Sequence, residues 1–403
     1  MPQSTPLPKV ARALCLLVLL VFCVERIAAN ERLTRNDQSS SDRNRATAVV
    51  WDLDDRTGMK SVGKVRSIAG PRSPEFPYFG DGNQGVLLRG RERLEIASNP
   101  SLTFELGDAI TVEAWISPQR VGDSSPRYVV GKGRTGQKGY PKDNQNWALR
   151  ITPKEGSYRL SFLFATNHEG VNRYHRWTTV DSTIAAGDGW HHVAVGYQFG
   201  HPDSMVGWID GRRVEGVWDM AGKTSAGPVT DDAAVWIGSA QNGNRSNSFV
   251  GAIDRVAVTR RILSDEVIRA QSRRDPAIPR PNYDSPPSMP DFGDLRRTVL
   301  FEMREDLPAA DRWPNQLDLQ LSEPVFAWTG DSFLLPRLPA HFDDWGIRSA
   351  YRPNVYLTIA SELELPTGPN RFLLRCRSLG RLWIDGEIVA ETPARLKNAP
   401  SGE

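Results

Sequence analysis

The sequence predicts an all-β chain built as a sandwich of antiparallel sheets, and three features carry that expectation. From Ala46 onward, short runs rich in Val, Ile, Leu and Trp alternate with clusters of Gly, Asp, Asn and Pro about every 8 to 15 residues, the spacing of sandwich strands and their turns. Helical periodicity is nearly absent. The string Trp-Ile-Asp-Gly occurs twice, from Trp208 and from Trp383, with a valine at the same offset each time, Val214 and Val389. Asp-Gly is the favoured pair for a two-residue turn that needs positive φ, so each string predicts a β-hairpin. Alternation along the first strand puts Trp208 and Asp210 on one side and Ile209 on the other.

Taken in order, residues 1–29 have the layout of a secretory signal peptide: Lys9 and Arg12, then the apolar run ALCLLVLLVFCV, then Ala28-Ala29. The run falls short of the roughly 18 to 20 apolar residues that span a bilayer. Residues 30–45 are a polar leader without apolar period. Residues 46–273 supply the strands AVVWDL, GVLLRG, RLEIA, AITVEAWISP, RYVVGK, NWALRIT, YRLSFLFA, HRWTTV, WHHVAVGYQ, MVGWID, RRVEGVW, AAVWIGS and GAIDRVAVTR. The segment SDEVIRAQSRR closes this domain as its one helix. Ser264 caps the first turn, Asp265 and Glu266 suit the positive end, and Arg273 and Arg274 suit the negative end. Residues 274–294 carry six prolines and read as a linker. Residues 295–403 return to strand pattern in RTVLFEM, LDLQL, VYLTIASELEL, NRFLLRCRS and RLWIDGEIV, too few strands for a whole sandwich, so this module is expected to be cut short.

Composition narrows the function. Removing residues 1–29 takes Lys9, Arg12, Arg26 and Glu25 from 50 basic and 48 acidic residues and leaves 47 of each. A neutral chain without a basic run has no electrostatic case for nucleic acid or an anionic membrane. Cys15 and Cys23 leave with the signal and only Cys376 remains, so packing rather than disulfides must hold the fold. CxxCH, CxxC, HExxH and GxSxG are absent.

Four strings in fixed order, GVLLRGRERLEI, ITVEAWISP, GDGWHHVAVGYQ and FVGAIDRVAVTRRILSDEV, resemble the laminin G-like jelly-roll family of the concanavalin A-like lectin and glucanase superfamily, across residues 46–273. The resemblance implies two stacked antiparallel sheets, with Trp115, Trp190 and Trp208 in or beside the core and Asp254 on a late strand ahead of the helix. It also implies a binding rather than a cleaving role, toward glycans or proteins, with a structural calcium ion in some members. Asp81, Asn83 and Asp254 are the residues considered for such an ion. The second module, through YLTIASELELPTGPNRFLLRCRSLGRLWIDGEIVAET, resembles part of a protective-antigen-type β module. Modules of both kinds resemble parts of large secreted bacterial multidomain proteins.

Several motifs invite chemistry that the pattern does not support. Superfamily glucanases carry ExDxxE, two carboxylates about 5 to 5.5 Å apart; here Val112-Glu113-Ala114-Trp115 offers one. GKGRTG from Gly131 and GDGNQG from Gly80 match a dinucleotide fingerprint literally, yet no helix follows either, so both are expected to be loops. His191 and His192 are strand neighbours and point to opposite faces, so they cannot share one ion; one is expected to pack inside and the other to be exposed. Asp210 and Gly211 are assigned to the turn rather than to catalysis. The polar loops GRTGQKGYPKDNQNW and NHEGVNRYHRW are the candidate recognition surface, since sugar sites pair aromatic platforms with amides and carboxylates on loops held by a rigid scaffold. Tyr140, Asn144 and Tyr174 are the candidate ligand contacts, with Trp147 and Trp177 expected to pack inward. The expected role is a non-catalytic exported protein, secreted, periplasmic or on the cell surface, that binds a polysaccharide or an extracellular partner. The rival expectations are a targeting region of a larger enzyme or redox protein, and a structural adhesion or spacer protein.

Overall fold

A computed structural model describes residues 47–119, 124–181, 184–280 and, with gaps, 293–392. The signal and leader assigned to residues 1–45 and most of the proline-rich stretch lie outside the described residues.

Residues 48–259 form two antiparallel sheets. The eight-stranded sheet runs Arg212–Val214, His201–Ile209, His191–Gln198, Ala109–Pro118, Val250–Thr259, Gln84–Arg89, Arg66–Ala69, with Ala48–Trp51 also pairing on Val250–Thr259. The nine-stranded sheet runs Gly216–Met220, Val171–Thr179, Ser157–His168, Trp147–Lys154, Arg127–Lys132, Val235–Ile237, Arg93–Ile96, Met59–Val62, with Ile184–Ala185 on Ser157–His168. Between them lies one apolar core to which alternate residues of facing strands contribute: Ile110, Val112 and Ala114 from one sheet, Leu160, Phe162 and Phe164 from the other. Trp147 and Trp177 belong to this core, as the sequence suggested, and Trp147 Nε1 donates to Leu102 O at 3.1 Å.

The run RRVEGVW, expected as one strand, divides between the two sheets. Arg212–Val214 pairs with His201–Ile209, and Gly216–Met220 pairs with Val171–Thr179. The crossing needs a glycine: a Cβ on Gly216 would stand 2.2 Å from the Trp177 ring, which roofs the chain as it changes sheets. The helix forms as expected over Asp265–Gln271, with Ser264 accepting from the Val267 N–H.

The outer face of the eight-stranded sheet is covered too, by the helix and by the segment 71–79. Trp208 packs with Ala194, Leu263 and Ile268 beneath the helix, and its Nε1 donates to Asp265 Oδ1 at 2.8 Å. Trp115 packs with Phe76, Phe79 and the half-buried Trp190 beneath the segment 71–79. These tryptophans therefore form an outer layer beside the inter-sheet core. His192, on this outer face against Trp115, and His191, on the opposite side of the strand, are both buried, where one had been expected at the surface.

Beyond the sandwich, Val299–Arg304 pairs with Phe326–Gly330 and Tyr356–Ala360 to make a three-stranded sheet, and Phe301, Trp328 and Phe326 stack across it at 5.0 Å centroid spacings. The expected hairpin at Trp383 is present as Arg381–Ile384 and Glu387–Glu391. Residues 371–375 of NRFLLRCRS do not form a strand: among the described residues no neighbour pairs with their backbone, and Leu373 is 88% exposed. Most of LDLQL lies outside the described residues. Among the described residues no helix is long and apolar enough to cross a membrane.

Candidate functional site

The first candidate loop joins the strands Arg127–Lys132 and Trp147–Lys154 and meets residues 231–232, whereas the second, expected as a loop, is a tight hairpin in which Ser157–His168 and Val171–Thr179 pair around a turn at Glu169-Gly170, so Tyr174 stands on a strand. Lys132 is the pin. Its side chain is fully buried, and its ammonium donates to Asn146 Oδ1 at 2.8 Å and to the Asp231 carbonyl, with Asp231 Oδ1 at 4.0 Å. Burial pulls the Lys132 pKa down, and the carboxylates of Asp231 and Asp232 work against that pull. A desolvated ammonium is tolerated only when ringed by oxygens, and one of its oxygen partners lies 99 residues away in the chain.

Around this pin the loops are tied crosswise. Asn144 Nδ2 donates to Asp231 Oδ2 at 2.6 Å while its Oδ1 accepts from the Arg134 N–H at 2.7 Å, and Asn146 Nδ2 donates to Asp231 Oδ1 at 3.1 Å. Asn144 is completely buried, so it braces the loops and does not present itself to solvent. Gly133, at φ +81°, permits the sharp exit from the strand; a Cβ there would meet Asn144 O at 2.0 Å. The amides of Gln241 and Asn242 donate to the carbonyls of Arg134 and Thr135 at 2.9 and 2.8 Å, which brings a fourth segment to the same rim. GKGRTG and GDGNQG are both followed by loop or strand, as expected.

The two candidate tyrosines sit at the edges of this frame. Tyr140 is half-buried, and its hydroxyl donates to Asp232 Oδ1 at 3.0 Å. Tyr174, also half-buried, lies under the Arg134 guanidinium, which is 4.7 Å from its ring centroid. Arg134 Nη1 donates to Tyr128 Oη at 2.9 Å, and that hydroxyl donates to Gln145 Oε1 at 2.9 Å. Sequence reasoning missed Lys132, Arg134 and Asp231; no local pattern marks them, because their roles exist only once distant segments meet. His175, in the second candidate loop, is buried between the Gly222 carbonyl and Thr166 Oγ1, whereas His168 is exposed.

The remaining predicted residues form two separate constellations. Asp210 begins the Asp-Gly turn, and its carboxylate accepts from the His192 N–H at 3.0 Å, from His191 Nδ1 at 2.8 Å and from Arg280 Nη2 at 3.0 Å. His191 Nε2 meets Asp188 Oδ1 at 2.6 Å. Burial disfavours the charged imidazole, but the hydrogen bonds to Asp188 and Asp210 outweigh it and raise the His191 pKa to about 8. On the adjacent position His192 Nε2 is 3.7 Å from Glu113 Oε2, both buried against Trp115.

Asn83 and Asp254 are brought together, with Asn83 Nδ2 donating to Asp254 Oδ2 at 2.6 Å and to Pro71 O at 2.8 Å. Asp254 Oδ1 accepts from the Arg255 N–H at 2.7 Å. Burial raises its pKa to about 6, against those hydrogen bonds. Asp81 is exposed. An amide donor aimed at the one buried carboxylate makes a strut; hard cations take six to eight oxygens, and this donor set does not fit calcium. Among the described residues no group of three His, Cys, Asp or Glu stands in metal-binding range.

Residues 92–269 match the family model for the concanavalin A-like lectin/glucanases superfamily, in keeping with the all-β sandwich of two antiparallel sheets. No curated protein matches the chain. Among solved structures the chain is similar to a native heptameric SAP-like pentraxin from Limulus polyphemus, at 16% identity over 54% of this chain and 83% of that one, TM-score 0.32. It is similar to domain 4 of the extracellular arabinanase AbnA from Geobacillus stearothermophilus, in complex with arabinotriose, at 14% identity over 59% and 94%, TM-score 0.35. It is also similar to the CBM40 of a Ruminococcus gnavus IT-sialidase bound to α2,3-sialyllactose, at 16% identity over 42% and 84%, TM-score 0.29.

Proposed function

We propose that this chain is a non-catalytic, exported binding protein whose jelly roll recognises a glycan through the rim loops 133–147, 167–174 and 231–242. The observation that carries the reading is the way those loops are tied. Lys132, Asn144 and Asn146 bind the first segment to Asp231 from beneath and Asn172 ties the second to Asp143, so Tyr140, Arg134 and Tyr174 are held in place before any ligand arrives. Preorganised polar groups beside aromatic rings are what a sugar site requires, because ordering the loops on binding would offset the affinity gained. Against catalysis, the lone carboxylate of VEAW, Glu113, is buried next to His192 and Trp115 and lacks a second carboxylate at glycosidase spacing in its own motif.

The test is a glycan array probed with the full chain, followed by titration of the best ligand. Tyr140→Ala and Tyr174→Ala should each weaken binding by about tenfold, on the order of 1 to 2 kcal/mol for a lost aromatic contact, while the melting temperature stays within a few degrees. Binding that survives both substitutions would place recognition elsewhere, and hydrolysis of the ligand would end the non-catalytic reading.

A further inference from the structure

The outer face of the nine-stranded sheet, next to the rim loops, carries an unusual charge arrangement. Tyr128, Arg150, Ser161 and Thr178 follow one another across four strands in direct register, all pointing away from the core. Thr152 and Arg159 pair directly in the row beside them. Arg150 is 4% exposed, and its guanidinium lies over the Tyr128 ring at 5.3 Å from the centroid. Its Nε and Nη2 are shielded from solvent and have no hydrogen-bond partner among the described residues; the same holds for Arg159 Nε and Thr152 Oγ1.

The neighbouring arginines are committed elsewhere. Arg176 is held by Asp219 at 2.7 and 3.0 Å, and Arg134 by Tyr128 and the Tyr174 ring. Asp143, on the Tyr174 side, accepts from Asn172 Nδ2 at 3.1 Å. Burial and the charges of Arg176 and Arg134 both work against the charged form of Arg150, while Tyr128 favours it. A buried guanidinium with two idle donors is costly in a folded chain, and a planar fork of this kind matches the two oxygens of a carboxylate or sulfate group.

We propose that Arg150 is the specificity centre of an oxyanion site on this face, taking the carboxylate or sulfate group of an acidic glycan whose sugar rings rest on Tyr174 and the rim. The glycan part rests on the function proposed above; the oxyanion part stands on the sheet face itself. Ser161 and Thr178 supply hydroxyls beside the guanidinium, and Arg134, Tyr174 and Arg176 form its half-buried border with solvent.

Two measurements on the full chain test this. In the first, melting temperature is followed against sodium sulfate at ionic strength matched with sodium chloride, for the wild type and for Arg150→Met. The wild type should show a saturable rise of about 3–5 °C that the variant lacks, and the variant should melt no lower than the wild type in chloride, because a methionine replaces an unpaired charge by apolar volume. Should Arg150→Met fail to fold, Arg150→Lys keeps the charge, loses the fork and should lose most of the sulfate response. Equal sulfate responses in wild type and variant overturn the site. In the second, sulfated or uronate-containing polysaccharides are titrated against neutral ones. Binding of acidic glycans at least tenfold tighter, with the preference removed in Arg150→Met, supports the site. Equal binding of neutral and acidic glycans overturns it and leaves the glycan-binding function standing. A saturable, Arg150-dependent sulfate response with no glycan bound supports the oxyanion site and overturns the glycan-binding function.

Discussion

The two Trp-Ile-Asp-Gly hairpins share a turn and little else. In both, the Asp and Gly take positive φ, 49° and 75° at Asp210-Gly211 and 51° and 85° at Asp385-Gly386, and the flanking isoleucine faces the residue after the glycine. Around the turns they diverge. Trp208 is fully buried beneath the helix, and Asp210 ties His191 and Arg280 together. Trp383 is only half-buried near the Arg381 guanidinium, and Asp385 is exposed. The four-letter string therefore specifies the reversal of the chain, and the surroundings specify whether that reversal becomes a structural clasp.

The widest gap between the two copies should appear on removing the tryptophan. Trp208→Ala opens a hole in the layer between sheet and helix and removes one of the two donors to Asp265, and should cost about 3–5 kcal/mol in chemical denaturation; Trp383→Ala should cost about 1 kcal/mol. Equal costs would mean that the second hairpin is packed far better than its exposure indicates. Next in size are the glycines. A Cβ on Gly211 would meet Ser272 Oγ at 2.4 Å and crowd Arg269, while nothing lies within 4 Å of the corresponding position on Gly386. Gly386→Ala should therefore carry only the left-handed backbone penalty, about 1 kcal/mol, and Gly211→Ala about 2–3 kcal/mol.

The clasp should also make stability depend on pH above neutrality. His191 has a folded pKa of about 8, above its ordinary value near 6.5, so its contribution is complete below about pH 6.5 and is lost as pH rises through about 8. The loss is about 2 kcal/mol. His191→Gln should flatten that part of the stability profile, and a wild-type profile already flat from pH 6 to 9 would show that the Asp188–His191–Asp210 bridge does not form. The smallest effect belongs to Asp385→Ala, a few tenths of a kcal/mol from a less favourable turn residue, against about 1–3 kcal/mol for Asp210→Ala, which leaves His191 and Arg280 without their shared acceptor.

The same division explains what could be seen in the sequence. Strand alternation, the Asp-Gly turns and the capped helix are local signals, and they marked nearly every long strand of the sandwich as well as Asp265–Gln271. Local signals also placed Trp147 and Trp177 inward. They could not reveal that RRVEGVW changes sheets at Gly216, since the obstacle is the Trp177 ring on another strand. Nor could they reveal that His191 and His192 are both covered, because the cover comes from residues 71–79 and from Arg280. Tyr140, Asn144 and Tyr174 pointed to the segments of the proposed rim, yet Asn144 is a buried brace and the residues that tie these segments together, Lys132 and Asp231, lie 99 positions apart. Nothing in the strand NWALRIT marks Arg150; only the register with Tyr128 and Ser161 shows its guanidinium with donors to spare.

Recognition at the rim of the nine-stranded sheet can be read out by hydrogen–deuterium exchange on the full chain with and without the best-binding glycan. Protection should be confined to residues 133–147, 167–174 and 231–242. Protection that falls instead on the eight-stranded sheet or on residues 299–391, with the rim unchanged, would contradict it.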